Sequence, residues 1–107
     1  MNTTDLRGKT AIVGVGLGGL PSAPNRSSME IQTEAVHRAL SDAGLKPGDV
    51  DGLFTGSSHA FMPALSTAEY LGIRPKISDT TMIGGSSFIG HLLPAAMALQ
   101  YGLCDVA

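Results

Sequence analysis

The stretch Met82–Cys104, MIGGSSFIGHLLPAAMALQYGLC, decides the fold. It carries no Asp, Glu, Lys or Arg, and from Phe88 to Leu103 its apolar side chains point in every helical direction. Phe88, Leu92, Ala95, Ala96 and Leu99 form one stripe, while Ile89, Leu93, Met97 and Leu103 cover the other faces. A helix that is apolar all round needs cover on every side, from a large core or from lipid. Ahead of it, Asp79-Thr80-Thr81-Met82-Ile83 reads as a strand and Gly84-Gly85-Ser86-Ser87 as a tight turn into the helix. Backbone N–H groups at such a start point outward and favour developing negative charge. The expectation is a central helix sheathed on all sides, with chemistry at its leading end. A helix lying against open solvent would overturn it.

About 20 apolar residues suffice to cross a bilayer, but this stretch is poorly suited to lipid. It contains four glycines, Pro94, His91, Gln100 and two serines, and Asp79 and Asp105 flank it without a basic cluster. The reading is a buried helix of a soluble protein and no membrane span. Pro94 removes one backbone bond, and Gly90 four residues earlier leaves room beside it, so a bend and not a break is expected.

Composition supports that picture. At 107 residues the chain is one domain at most, with 43% hydrophobic residues and a formal charge of −2. That charge gives no electrostatic case for nucleic acid or an anionic membrane. Charged residues make up 15%, below the roughly 25% of average soluble domains, so much of the surface is meant to be hidden. With Asp105-Val106-Ala107 resembling the opening of a strand, a fragment of a larger protein or an obligate oligomer is expected. The single cysteine, Cys104, excludes an internal disulfide and fits a reducing cytoplasm, and the first ten residues, MNTTDLRGKT, show no secretory core.

Working outward, Thr10–Gly14 (TAIVG) predicts a buried first strand. Gly14, Gly16 and Gly19 then spell G-x-G-x-x-G, but a dinucleotide fingerprint needs a helix opening directly on those glycines. Pro21 and Pro24 forbid that, and a flexible loop leaving the strand is the better account. A helix begins near Ser27, where Ser27 and Glu30 match a capping box. Ile31, Ala35, Ala39 and Ala43 line one face with Val36 and Leu40 beside them, small enough for close approach to a sheet. Gly44, Leu45 and Pro47 end it. Val50–Thr55 is the second strand, so strand, helix and strand imply a parallel βαβ unit. Gly56–Met62 (GSSHAFM) is a loop able to face a ligand. A second helix spans Pro63–Leu71, with Leu65, Ala68 and Leu71 inward and Gly72 as terminator. The fold class is α/β with a mostly parallel sheet.

Few residues invite chemistry. His37, His59 and His91 lack metal-ligand spacing: His37 reads as solvated, His91 as a hydrogen-bonded core histidine, and His59 as a weak ligand-loop candidate. Cys104, at a helix C-terminus, is a packing residue. Ser86 and Ser87 sit where an oxyanion is stabilised, but a hydroxyl nucleophile needs a base and none is adjacent; N-capping is the simpler role.

The order of these features resembles the N-terminal part of the thiolase superfamily. The segments TAIVGVG, ALSDAGLKPGDVDGLF and TTMIGGSSFIGHLLPAAMALQYGLCDVA carry the likeness, which runs over essentially the whole chain. It is nearest to thiolase-like lipid-transfer proteins and sterol-carrier-protein-type thiolases. The resemblance implies a layered αβαβα sandwich, of which residues 1–107 are the first, βαβ-rich portion of the N-terminal half. It also implies a homodimer formed through the strand before the central helix. Thiolases place an acyl-accepting cysteine at the start of that helix, and counting seventeen residues back from Gly102 puts Gly85 there. The nucleophile is absent, as in cysteine-less relatives that cleave a β-hydroxyacyl-CoA by retro-aldol chemistry with a small OB-fold partner. The expected function is therefore carbon–carbon cleavage of an acyl-CoA thioester or acyl transfer. Coenzyme A arrives on the substrate and no cofactor is bound, while Gly85, Ser86 and Ser87 present backbone N–H groups to the thioester oxygen. The competing expectation is a non-catalytic acyl-CoA- or lipid-binding or scaffold subunit of the same fold.

Overall fold

A computed structural model describes residues 5–58 and 60–107. The elements are α1 (Ser28–Ala43), a 3-10 turn (Pro47–Asp49), β1 (Gly52–Thr55), α2 (Pro63–Leu71), β2 (Ile77–Thr80), α3 (Ser87–Gly90) and α4 (Leu92–Gln100). β1 and β2 run parallel, in register from Gly52 opposite Ile77 to Thr55 opposite Thr80, with α2 between them in sequence. The α/β class expected from the sequence is present, but the parallel unit is β1–α2–β2 and does not include Thr10–Gly14.

Helix limits follow local chemistry. Ser27 Oγ accepts the Glu30 N–H at 3.1 Å, and the Glu30 carboxylate takes the Ser27 hydroxyl at 3.4 Å, so the capping box closes between side chains. At the other end Gly44 adopts φ +72°, a left-handed conformation natural to glycine, and the Leu45 N–H reaches back to the Leu40 carbonyl. α2 matches its predicted limits, with Pro63 in its first turn and Gly72 as its cap. Of its predicted inward residues Ala68 is buried, whereas Leu65 is exposed.

The segment after Thr10 corrects the sequence reading. Thr10–Gly14 belongs to no strand, and Ile12 is 72% exposed. Residues 14–18 run alongside α1 in the opposite direction: a Cβ on Gly14 would strike the Ala39 carbonyl, one on Gly16 that of Ala35, and one on Gly18 that of Ile31. The match has a geometric cause. Two extended residues advance about 6.6 Å and four helical residues about 6 Å, so alternate glycines keep step with Ile31, Ala35, Ala39 and Ala43. The small helix face thus meets a glycine stripe and not a sheet. Asp42 Oδ2 accepts the Val15 N–H at 3.0 Å, Arg38 donates to the Leu17 carbonyl at 3.2 Å, and Glu34 pairs with Arg26 and Arg38. The expected flexible loop is in fact fastened to α1. No helix opens on these glycines, since α1 starts at Ser28.

The second correction concerns the central helix. It is interrupted at His91, which nevertheless keeps helical angles (φ −66°, ψ −21°). Pro94 has no N–H to give the Gly90 carbonyl, and the ladder resumes with Ala95 N–H to His91 at 3.0 Å. All-round burial is not observed. Ser87, His91 and Ala98 form one covered stripe, while Ile89 is 73% exposed and Phe88, Leu92, Leu93, Met97 and Leu103 are also open. The physical reason is area: α4 packs mainly along the two-stranded sheet, at β1, and so small a sheet covers one side of such a helix. Within this chain the central helix lies largely open to solvent, which overturns the expectation of a rod sheathed on all sides. Among the described residues no helix is long and apolar enough to cross a membrane.

Candidate functional site

The register of β1 and β2 brings Thr55 and Thr80, the last residues of both strands, side by side. Ligands of α/β sheets gather at the carboxyl ends of parallel strands, where connecting loops diverge. Here the loops open at Gly56 and at Thr81. They touch at Gly56, where a Cβ would lie 2.8 Å from the Thr81 carbonyl oxygen and 3.2 Å from the Met82 sulfur. His91 holds the same Thr81 carbonyl through Nε2 at 3.1 Å, and Phe88 stands edge-on to its ring at 5.6 Å. A carbonyl only accepts, so Nε2 carries the hydrogen. The expected core histidine is therefore found, and it braces the end of β2.

The turn Gly84-Gly85-Ser86-Ser87 is closed by its last member. The Ser87 hydroxyl accepts the Ile83 N–H at 2.7 Å and donates to the Gly84 carbonyl at 2.6 Å, which also receives the Ser87 N–H at 3.1 Å. Gly84 has φ +108°, a region that excludes most side chains. Ser87 is fully buried, with both its hydroxyl and its N–H engaged in the turn. Ser86 occupies the cap position but makes no side-chain cap bond. The N–H groups of Gly85 and Ser86 have no hydrogen-bond partner among the described residues, and both residues are exposed. Ser87→Ala should lower stability by about 2 kcal/mol by leaving the Ile83 N–H unpaired. Urea unfolding checks this, and an unchanged midpoint would remove the staple role.

The other residues singled out from the sequence fall away from the mouth. His37 lies on the exposed side of α1, and His59 lies outside the described residues. Cys104 is buried against Gly52, at the opposite end of β1, and burial pushes its thiol pKa up, away from thiolate character. Among the described residues no group of His, Cys, Asp or Glu could hold a metal. A cavity of about 350 Å³ opens between residues 13–14, α1, β1 and Val106–Ala107. Its lining is apolar apart from His37 and His91, and it offers little chemistry.

Two polar features had no local signal. Asp51 accepts the N–H groups of Asp105 at 2.9 Å and Val106 at 2.7 Å, while the Asp51 and Gly52 N–H groups both reach the Val106 carbonyl. Gln32 of α1 donates to Thr55 Oγ1 at 3.0 Å and accepts from Thr67 Oγ1 at 3.5 Å. Both joins link residues far apart in sequence, which periodicity does not register.

No family model matches the chain. Two curated proteins are similar to it over 94% of its length. One is a steroid side-chain-cleaving aldolase of Thermomonospora curvata, 35% identical over 102 residues. The other is the 17-hydroxy-3-oxo-4-pregnene-20-carboxyl-CoA lyase of Mycobacterium tuberculosis, 36% identical over 106 residues. The chain spans 26% of the length of each. Among solved structures, one described as an Ltp2–ChsH2(DUF35) aldolase superposes with a TM-score of 0.74 and 35% identity, over 88% of this chain and 25% of that one. OleA of Xanthomonas campestris, solved as its H285N variant with cerulenin, gives a TM-score of 0.67 at 20% identity, over 78% of this chain and 27% of that one. OleA is a thiolase-fold protein. At that identity the likeness to OleA speaks for the fold alone, whereas the likeness to the aldolase and the lyase extends to sequence.

Proposed function

We propose that this chain is the N-terminal portion of a thiolase-like enzyme that cleaves a carbon–carbon bond of a β-hydroxyacyl-CoA by retro-aldol chemistry. The observation that carries the reading is a mouth without a thiol. Gly85, at the position the thiolase resemblance assigns to the nucleophile, is exposed with open space beside it, and the only cysteine of the sequence is buried at the far end of β1. Similarity to two proteins named for such cleavage supports it.

The lyase's name puts a hydroxyl on the carbon β to a thioester carbonyl. For a substrate of that class, a base removes the hydroxyl proton and the C–O bond becomes a carbonyl. The Cα–Cβ bond breaks, and its electron pair passes through the α-carbon to the thioester oxygen as an enolate. Protonation of the α-carbon completes the step, giving a ketone and a shorter acyl-CoA without oxidant or water. The Gly85 and Ser86 N–H groups would stabilise the enolate oxygen, a contribution commonly worth about 3 kcal/mol per donor. Among the described residues the Ser87 hydroxyl and the His91 ring are engaged in the turn and the strand end, and the thiolase resemblance implies a base that lies beyond Ala107. The open faces of α3 and α4 would be inner faces of the αβαβα sandwich. A homodimer, a small OB-fold partner and a cytoplasmic setting belong to the same proposal.

The full-length protein, with any co-encoded partner, is expected to release an aldehyde or ketone from a β-hydroxyacyl-CoA. Thioester exchange without such release would replace this reading by acyl transfer, and binding without turnover by a non-catalytic subunit. Gly85→Cys is expected to fold with a Tm within about 2 °C of the parent, as surface changes usually do, and to react with iodoacetamide. Failure of that thiol to react would remove Gly85 from an open mouth.

A further inference from the structure

Gln32 lies outside the mouth, yet its side-chain amide meets three elements at once: α1, the last residue of β1 and the second turn of α2. Thr55 and Thr67, its partners, are 3% and 2% exposed. Buried polar groups cost stability relative to apolar ones unless their bonds are made, and networks of them specify one geometry. What this trio fixes is the exit from β1. Thr55 precedes Gly56, whose backbone lies against Thr81 and Met82, and the His91 ring holds the Thr81 carbonyl. Met82 leads directly into Ile83 and the Gly84–Ser87 turn.

We propose that Gln32 is a positioning residue for the candidate oxyanion site: by pinning the end of β1 against Thr81–Met82, it sets where the Gly85 and Ser86 N–H groups point. The inference rests on the functional reading above. Gln32→Leu keeps the bulk of the side chain and removes both bonds. Gln32→Glu keeps the tie, because its carboxylate accepts from both threonine hydroxyls.

In the full-length enzyme Gln32→Leu is expected to lower kcat about 30-fold through misplacement of the donors, with KM for the acyl-CoA changed less than about 3-fold. Gln32→Glu should restore kcat to within about 3-fold of the parent, since it keeps the geometry. Hydrogen exchange of the Ile83 and Ser87 amides, both bonded within the turn, should speed about 10-fold in Gln32→Leu and not in Gln32→Glu. Should the protein show no lyase activity, the functional reading fails and the exchange experiment alone decides on Gln32. Unchanged exchange at Ile83 and Ser87 overturns the proposal, as does a Gln32→Leu enzyme that is less stable with unaltered kcat. If Gln32→Leu does not fold, the isosteric Thr55→Val variant, which removes the 3.0 Å bond, carries the same expectations and the same refutation.

Discussion

Gly16→Val should lower stability by about 3 kcal/mol, the upper range for forcing extra carbon into a packed contact. In a chain of this size that corresponds to a fall in Tm of roughly 12 °C or more. The cause is geometric: Gly16 lies against the Ala35 carbonyl, the Ala39 N–H and Arg38 Cβ, all belonging to a rigid helix. The backbone of 14–18 would have to lift away from α1, weakening the Asp42 bond to Val15 and the Arg38 bond to Leu17. Gly48→Ala is the control, because a Cβ there meets nothing. Thermal unfolding of both variants decides the matter; a Gly16→Val protein melting with its parent would show that the glycine stripe is not a packing device.

Loss of the Asp51 clamp is the second large effect. Its side chain is 16% exposed and accepts two backbone N–H groups, with Lys76 Nζ at 3.9 Å. Asp51→Ala should cost about 2 kcal/mol at pH 7, the range for hydrogen bonds to a charged group. The Val106 N–H, followed by that of Asp105 and by Lys76, holds the Asp51 carboxyl below its ordinary value of 3.8, against the opposing effect of burial. The folded pKa lies below the unfolded one, so this stabilisation is fully present above about pH 5 and disappears as pH falls through the folded pKa. Parent and Asp51→Asn unfolding curves, measured from about pH 7 to about pH 2.5, should therefore converge in acid. A gap that stays constant across that range would show that the carboxylate charge contributes nothing.

Several features were legible because they are local. The end of α1 at Gly44, the limits of α2, the satisfied core role of His91 and the packing role of Cys104 each follow from residues close in sequence or from one side chain's chemistry. The same holds for the expectation that no helix opens on Gly14–Gly19, since Pro21 and Pro24 stand beside them. Other features mislead because one pattern serves two structures. TAIVGVG has the composition of a buried strand, yet glycines at every second position also suit an extended chain pressed onto a helix. Ser86 and Ser87 have equal claim to a helix cap in the sequence, but only the folded turn spends Ser87 on Ile83 and Gly84 and leaves Ser86 without a cap bond.

By itself the sequence determined the α/β class, most helix limits, the apolar character of the central helix and the lack of a thiol at its leading end. These depend on composition and on spacing along one helix or strand. Only the tertiary structure decided which face of the central helix is covered, that 14–18 rides on α1, and that Gln32, Thr55 and Thr67 meet beside the mouth. The physical reason is that hydrophobic patterning is non-directional and specifies that a face needs cover, whereas hydrogen bonds between residues far apart in sequence depend on distances that exist only once the chain has folded.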